Sequence, residues 1–463
     1  MKQQLSIYLI LLIIISSCQA PKEYDTPTYF GGQIINAKAK EVVLYKNDIA
    51  IDTLLLNEDN RFLKSIPVFE EGLYTFKHAN EFQYLFIQPS DSIIVRLNTL
   101  DFDESLVFSG KGGLRNEFLI DVFIQNEVED KSLRELYYLS SMDLKNEIEH
   151  IRQIKQHQLD EFLEQNGEYN NLYIKYARAA IDYPLYRKME IYPLMKRKYL
   201  KSSKFPTVPD DFYDFRSKID LNDPVLSNFY THRNYVMAYA YHLAYQESEG
   251  QLNPNINVNL LNIVSDSIDN PMLRNSMIRS AMFDELFAYK SLNINQDLIN
   301  TFIKVSDDEE LKNQIDLLIS DSEQVPNGSK VPNFSIISQN RKPYKINSLI
   351  RGRNSVIYFW SETDTETILI SQRVQYLQRM YPSIQFIGIN LDYQGDTGWN
   401  MRSLKGIPQH WQYSLTMNSK ARAFTQSQFP RSILVNRNGY VIDNYGNISS
   451  RNFENSLKIL EKN

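Results

Sequence analysis

Cys18 is the only cysteine in this 463-residue chain. Thiol–disulfide exchange needs an attacking thiolate and a second thiol to resolve the mixed disulfide, so one sulfur excludes it, and excludes an internal disulfide as well. His150 and His157 lie seven apart, on one face of a helix. The His-x-x-x-His spacing of a metal site is missing and no second cysteine can join them, so solvated histidines and no metal are expected. Glu362, Asp364 and Glu366 alternate within the polar run Ser361 to Thr367. Paired carboxylates divide acid and base roles where their environments push their pKa values apart, and this run promises exposure instead. The stretch Ser109-Gly110-Lys111-Gly112-Gly113 precedes a helix, where glycines can cradle phosphate. It lacks the Walker spacing, a Lys-Ser or Lys-Thr pair and a dinucleotide βαβ unit, and reads as a hinge. Neither a Gly-x-Ser-x-Gly elbow nor a His-Glu-x-x-His pair occurs. No catalytic residue and no cofactor is expected.

The elements that must position these residues fall into three segments. Residues 31–110 carry short β-branched or aromatic runs, Val42 to Tyr45, Ile49 to Leu56, Leu73 to Phe76, Phe82 to Ile87 and Ile93 to Leu97. Turn material separates them, which predicts an antiparallel β-sandwich. Residues 111–325 carry apolar spacings of three, four and seven, as in Leu133, Leu136, Tyr137 and Leu144, and read as a helical domain. Pro184, Pro193, Pro206, Pro209, Pro224 and Pro254 are expected to punctuate successive helices there. Residues 326–463 alternate strands with helices and close on a hairpin and a helix, an α/β layer. The predicted class is multidomain α+β. The net charge of −6 is interspersed, and the basic cluster Lys196-Arg197-Lys198 lies among Tyr192, Tyr199 and Leu200. A solvated helix face explains it, and no nucleic-acid partner is expected.

Residues 1–18 have the layout of a secretory signal: Lys2, an apolar run from Leu5 to Ile15, then Ile15-Ser16-Ser17-Cys18. This ending resembles the lipobox of bacterial lipoproteins. The resemblance implies that the Cys18 sulfur takes a diacylglyceryl group and becomes the new N-terminus. Several acyl chains at ~0.8 kcal/mol per buried methylene make such an anchor effectively permanent. Residues 19–30, with Pro21 and Pro27, read as a flexible stalk. Gln19 stands where an aspartate signals inner-membrane retention in some bacteria, which leans toward the outer membrane. The expected location is the cell envelope, lipid-anchored, periplasm-facing or at the outer membrane.

Val331-Pro332-Asn333-Phe334, the run Ser355-Val356-Ile357-Tyr358-Phe359-Trp360, a helix from about Ile368 to Met380, the buried run Phe386 to Asn390, Phe429-Pro430, and the turn Asn436-Arg437-Asn438-Gly439 follow in order. This order resembles the TlpA/ResA-like branch of the thioredoxin superfamily. In that family a strand ending Phe-Trp leads into Cys-x-x-Cys at a helix N-terminus, and a cis proline borders the dithiol. The resemblance places Asp364 and Thr367 where the two cysteines would stand, and matches Phe429-Pro430 to the proline. Asp364 at a helix N-terminus would be a capping acceptor. The expected function is a lipid-anchored envelope protein whose redox-inactive thioredoxin-like domain binds or scaffolds an envelope protein or peptide. The groove expected to serve is bordered by Trp360, Phe429 and Pro430. The alternatives are a thioredoxin-class oxidoreductase, which the cysteine count opposes, and an accessory lipoprotein in nutrient or glycan uptake, with the β-sandwich as its binding element.

Overall fold

The computed structural model describes residues 27–66, 70–167, 169–201, 206–248, 256–286, 295–361, 367–392, 409–427, 431–450 and 453–462. The chain divides into two compact units, Met1–His242 and Leu243–Asn463. It is a multidomain α+β protein.

The first unit opens with eight strands: β1 (Thr28–Ile35), β2 (Glu41–Lys46), β3 (Ile49–Leu55), β4 (Arg61–Ile66), β5 (Gly72–His78), β6 (Glu81–Ile87), β7 (Ser92–Asn98) and β8 (Val107–Lys111). They form two four-stranded sheets, ordered β4-β1-β7-β8 and β3-β2-β5-β6. Alternate residues turn inward and close one core around Phe30, Val42, Leu44, Phe76, Leu85 and Val95. The expectation of an antiparallel sandwich needs one correction: β1 and β7 pair in parallel, Tyr29 opposite Ser92 through Ile35 opposite Asn98. Alternating hydrophobicity fixes which face a residue takes and not the direction of its strand. The chain between β1 and β7 is long enough to make the crossover that a parallel pair requires. The pair is also close, since a Cβ on Gly32 would stand 2.1 Å from the Val95 carbonyl oxygen.

The glycine-rich stretch read as a hinge is a fixed junction. Ser109-Gly110-Lys111 completes β8, and Gly112, at φ 94°, makes the turn into α1 (Gly113–Ser132). The Asn116 amide of α1 then accepts from Phe86 N at 2.6 Å and donates to Phe86 O and Gly112 O, each at 2.9 Å. Next come α2 (Ser141–Asn166) and α3 (Asn171–Leu200). The Ser140 hydroxyl caps α2 by accepting from Asp143 N at 3.2 Å. His150 and His157 are exposed on α2, and His157 lies 3.4 Å from Glu161, as solvated histidines should. Pro184 and Pro193 do not separate helices. Both lie inside α3, a single 30-residue helix. A proline costs a helix one hydrogen bond and a steric clash. Here Tyr173, Ala177, Ile181, Leu185, Met189 and Tyr192 are buried along the same helix, and burial on that scale outweighs the loss.

Helix α4 (Tyr230–Glu247) runs across the division of the chain. The second unit continues with α5 (Ile256–Ser267), α6 (Pro271–Leu286), α7 (Gln296–Val305) and α8 (Glu309–Glu323), then β9 (Ser335–Ser338), β10 (Pro343–Lys345), α9 (Ile346–Ile350), β11 (Ser355–Trp360), α10 (Thr367–Met380), β12 (Gln385–Asn390), β13 (Gln412–Leu415), β14 (Ser432–Val435), β15 (Val441–Gly446) and α11 (Phe453–Lys462). Its seven strands are ordered β10-β9-β13-β12-β11-β14-β15. β11 pairs with β12 in parallel and with β14 antiparallel, and β14 and β15 form the closing hairpin. Every residue of β11 and β12 is buried, as strands covered on both faces must be. Ile357, Phe359, Ile387 and Ile389 fill one face. Val356, Tyr358, Trp360 and Phe386 fill the other, against Val374, Leu377 and Leu457. The unit β11-α10-β12, followed by a hairpin and a helix, is the arrangement that the thioredoxin resemblance implies. Among the described residues no helix is long and apolar enough to cross a membrane.

Candidate functional site

In an open α/β sheet, ligands gather at the carboxyl ends of the parallel strands. Trp360 ends β11 and Asn390 ends β12, directly opposite one another. Leu391 N donates to Trp360 O at 3.0 Å, the Ser361 hydroxyl donates to Asp392 Oδ1 at 2.7 Å, and Asp392 N donates to Asn390 Oδ1 at 2.6 Å. The exits of both strands are therefore tied together. From the other side, Phe359 N donates to Arg431 O at 3.0 Å. That bond brings the residue following Pro430 against the end of the strand that leads to Asp364.

Arg431 is 3% exposed. Its guanidinium donates to three backbone carbonyls: Nε to Asn444 O at 2.9 Å, Nη2 to Asp321 O at 3.0 Å, and Nη1 to Phe424 O. The Tyr445 ring lies 5.1 Å from it. Burial pushes the guanidinium pKa down, against the nearby Tyr445, Asp321 and Asp443, yet an arginine keeps its proton at any ordinary pH. Asp321, near the end of α8, is wholly buried and accepts from Gln426 N at 3.1 Å and Ser427 N at 2.8 Å. Gln426 and Ser427, on one side of residues 428–430, are thus held by the buried Asp321 carboxyl, and Arg431, on the other, by three backbone carbonyls. Asp443 in β15 is 2% exposed and accepts from Tyr445 N at 3.1 Å and the Ser456 hydroxyl at 3.4 Å. Burial pushes its carboxyl up to about 6, because two hydrogen bonds replace hydration incompletely.

Of the residues singled out from sequence, Cys18, Asp364, Phe429 and Pro430 lie outside the described residues, as do Glu362 and Glu366. Thr367 is the first residue of α10. Trp360 is 2% exposed and packs within the helix-covered core cluster. Its indole Nε1 is buried with no hydrogen-bond partner among the described residues, and so is Ser414 Oγ on β13. Reasoning from sequence missed Arg431, Asp321 and Asp443. For two of them a signal existed: Arg431 adjoins the Phe-Pro pair and an apolar strand, and Asp443 interrupts another. Among the described residues no group of three His, Cys, Asp or Glu side chains is placed to hold a metal ion.

No protein-family model matches the sequence, and no curated protein is similar to it. Solved structures do resemble part of the chain. A Bacteroides vulgatus protein assigned as a thiol-disulfide oxidoreductase is 19% identical over 30% of this chain and 99% of its own, with a TM-score of 0.26. The thioredoxin domain of another thiol-disulfide oxidoreductase from Bacteroides vulgatus is 15% identical over 29% of this chain and 99% of its own, at 0.25. A thiol:disulfide interchange protein from a Bacteroides species is 16% identical over 30% of this chain and 91% of its own, at 0.24. At such identities and scores the likenesses carry no argument about activity. The thioredoxin-like reading of the last part of the chain rests on its own strand order and pairing.

Proposed function

We propose that the thioredoxin-like domain is a redox-inactive polypeptide-binding module, carried on a chain that Cys18 anchors by lipid to the cell envelope. The observation that carries this is the cysteine count: one in 463 residues, at position 18, and none from 326 to 463. An Asp364 carboxylate and a Thr367 hydroxyl cannot exchange electrons with a disulfide. What supports binding is the pinning on both sides of residues 428–430, by Asp321 on Gln426 and Ser427 and by Arg431 on three carbonyls. Flanks held in this way lower the ordering cost of docking an extended peptide by backbone pairing.

The test is chemical crosslinking of the full, membrane-bound chain in envelopes, followed by copurification. Pro430→Ala is expected to remove at least one crosslinked polypeptide that the unaltered chain retains. Trp360 is a poor probe, because its indole belongs to the core and its loss would disturb folding. If Pro430→Ala keeps every partner, the groove reading fails. Insulin reduction by the purified chain is expected to equal the protein-free blank, and activity above it would overturn the redox-inactive reading. Mass spectrometry of the mature N-terminus is expected to find a lipidated Cys18, and an unmodified one would refute the anchor.

A further inference from the structure

Residues 219–229 lead into α4 through turns, and several side chains hold them in place. Asp223 Oδ1 accepts from Val225 N at 2.9 Å and Leu226 N at 3.2 Å, and Oδ2 pairs with Lys175 of α3 at 2.5 Å. The Tyr176 hydroxyl donates to Val225 O at 2.9 Å. From α4, His232 Nε2 lies 3.0 Å from Asp220 O. Two residues of the segment, Val225 and Asn228, line a cleft of about 310 Å³ together with Thr75 of β5 and Phe82 and Tyr84 of β6.

His232 holds its end of the segment only as a neutral ring. A carbonyl oxygen accepts and never donates, so Nε2 carries the proton and Nδ1 is the bare ring nitrogen. The side chain is wholly buried, edge-on against the Tyr183 ring of α3 at 5.3 Å. Its Nδ1 is buried with no hydrogen-bond partner among the described residues. A second proton would enter there, with no acceptor to receive it and no water to spread its charge.

The charged groups that face the ring do not relieve this. Asp223 is already shared between Lys175 and two amides, and Asp220 Oδ1 accepts from Asn222 N at 2.9 Å. Lys175 itself repels a second positive charge. Burial therefore pushes the His232 pKa down, against the bond to Asp220 O and the pull of the Asp223 and Asp220 carboxylates.

We propose that His232 is an acid-sensitive latch: its neutral ring holds residues 220–229 against α3 and α4, and its protonation releases them and reshapes the cleft that Val225 and Asn228 line. The sign follows from linkage. The released segment takes up a proton at the ordinary histidine value of 6.5, and the held one resists it. The latch is fully held above pH 6.5 and weakens as pH falls toward the lowered value. Asp223 adds no second switch in this window. Burial works against its charge, but Lys175 and the Leu226 and Val225 amides hold its carboxyl below the usual range.

The test is hydrogen exchange on the full chain at pH ~7.5 and ~5.0, corrected for the intrinsic rate. The amides of Val225, Leu226, Ser227 and Phe229, all hydrogen-bonded in the held segment, are expected to lose about tenfold to thirtyfold in protection at the lower pH. Amides of β7 and β8 are expected to keep theirs. His232→Gln places an amide donor near Asp220 O and removes the titrating ring. This variant is expected to match the unaltered chain at pH ~7.5 and to keep that protection at ~5.0. Should the variant be loosened at both values, the ring itself decides. In the unaltered chain labelled with carbon-13 histidine, the His232 signal is expected to titrate below 6.5 and to report the proton on Nε2. The proposal is overturned if that signal titrates at 6.5 or above, if protection of the four amides is indifferent to pH, or if His232→Gln loses it in acid as the unaltered chain does.

Discussion

Arg216 and Arg431 both lie beside buried acids, and they are used differently. In the first unit Arg216 forms a two-pronged pair with Glu190, Nε to Oε1 at 2.9 Å and Nη2 to Oε2 at 2.6 Å. The Glu190 carboxylate is wholly buried and also receives the Tyr235 hydroxyl at 3.0 Å, while His242 Nδ1 lies 3.2 Å from Oε2. Burial would raise the Glu190 pKa, but the hydrogen bonds from Arg216 and His242 overcome it and hold the carboxyl below its usual range. In the second unit Arg431 makes no such fork. Its donors go to backbone carbonyls, while Asp321 and Asp443 spend their oxygens on other groups. The first arrangement neutralises charge, and removing one member strands the other. The second fixes the path of the chain, and burial raises the proton affinity of Asp443 beside it.

Breaking the first arrangement should give the largest effect. Arg216→Met leaves Glu190 buried without its fork, which costs ~3–5 kcal/mol. Urea denaturation should show it as a lowered midpoint with an unchanged slope. The double variant Glu190→Met, Arg216→Met should recover most of the loss, because a well-packed apolar pair is often as stable as a buried ion pair. A double variant no better than the single one would mean that Glu190 matters through Tyr235 and His242 instead.

The second arrangement predicts a dependence on pH. The Asp443 carboxyl rises from 3.8 to about 6 in the folded chain. Between those values the folded state holds a proton that the unfolded state releases, so stability falls as pH rises. The contribution is fully present below pH 3.8 and is lost as pH passes through about 6. A shift of this size corresponds to ~3 kcal/mol. Asp443→Asn should remove it. The stability of the variant minus that of the unaltered chain should therefore climb by up to ~3 kcal/mol between pH 4 and 7, measured by denaturation at each pH. A flat difference would mean that Asp443 carries its charge in the folded state as easily as in water.

Legibility in the sequence followed burial. The strands β11, β12 and β14 were readable because each carries an apolar run, and α10 because its apolar spacing is helical. β13 was not, since Gln412-Tyr413-Ser414-Leu415 is half polar, although all four residues are buried. Its polarity is only partly absorbed by side-chain pairing: Gln412 Nε2 donates to the Tyr358 hydroxyl at 2.7 Å, where Gly388 leaves the space for both, while Ser414 Oγ has no partner among the described residues. The parallel β1–β7 pair was invisible because alternation has no direction, and the continuity of α3 through two prolines because propensity is local while burial is not. At the candidate site, the Phe359-Trp360 strand end was legible as a pattern, while Phe429-Pro430 lies outside the described residues. The charges nearby were not read: Arg431 adjoins an apolar strand and Asp443 interrupts one, which is a weak sign of burial, and Asp321 carries none in the sequence.

The smallest expected effect sharpens the comparison most. Arg431→Lys keeps the charge but replaces a planar fork of donors by one ammonium on a flexible stem. A single ammonium cannot reach the Asn444, Asp321 and Phe424 carbonyls with the same geometry, so one or two buried acceptors lose their partner, at ~1–3 kcal/mol in total. If Arg431 were a counter-ion like Arg216, lysine would serve nearly as well, and stability would hold within ~0.5 kcal/mol. If it is a positioning group, hydrogen exchange should accelerate at the Gln426 and Ser427 amides, which Asp321 now holds, and at Phe359, which is bonded to the Arg431 carbonyl. Amides in β1 to β8 should keep their protection, because those strands belong to the other unit. Stability lost with no change at those three amides would separate the energy of Arg431 from its placement of the chain, and would leave the flanks of Pro430 to be ordered by something else.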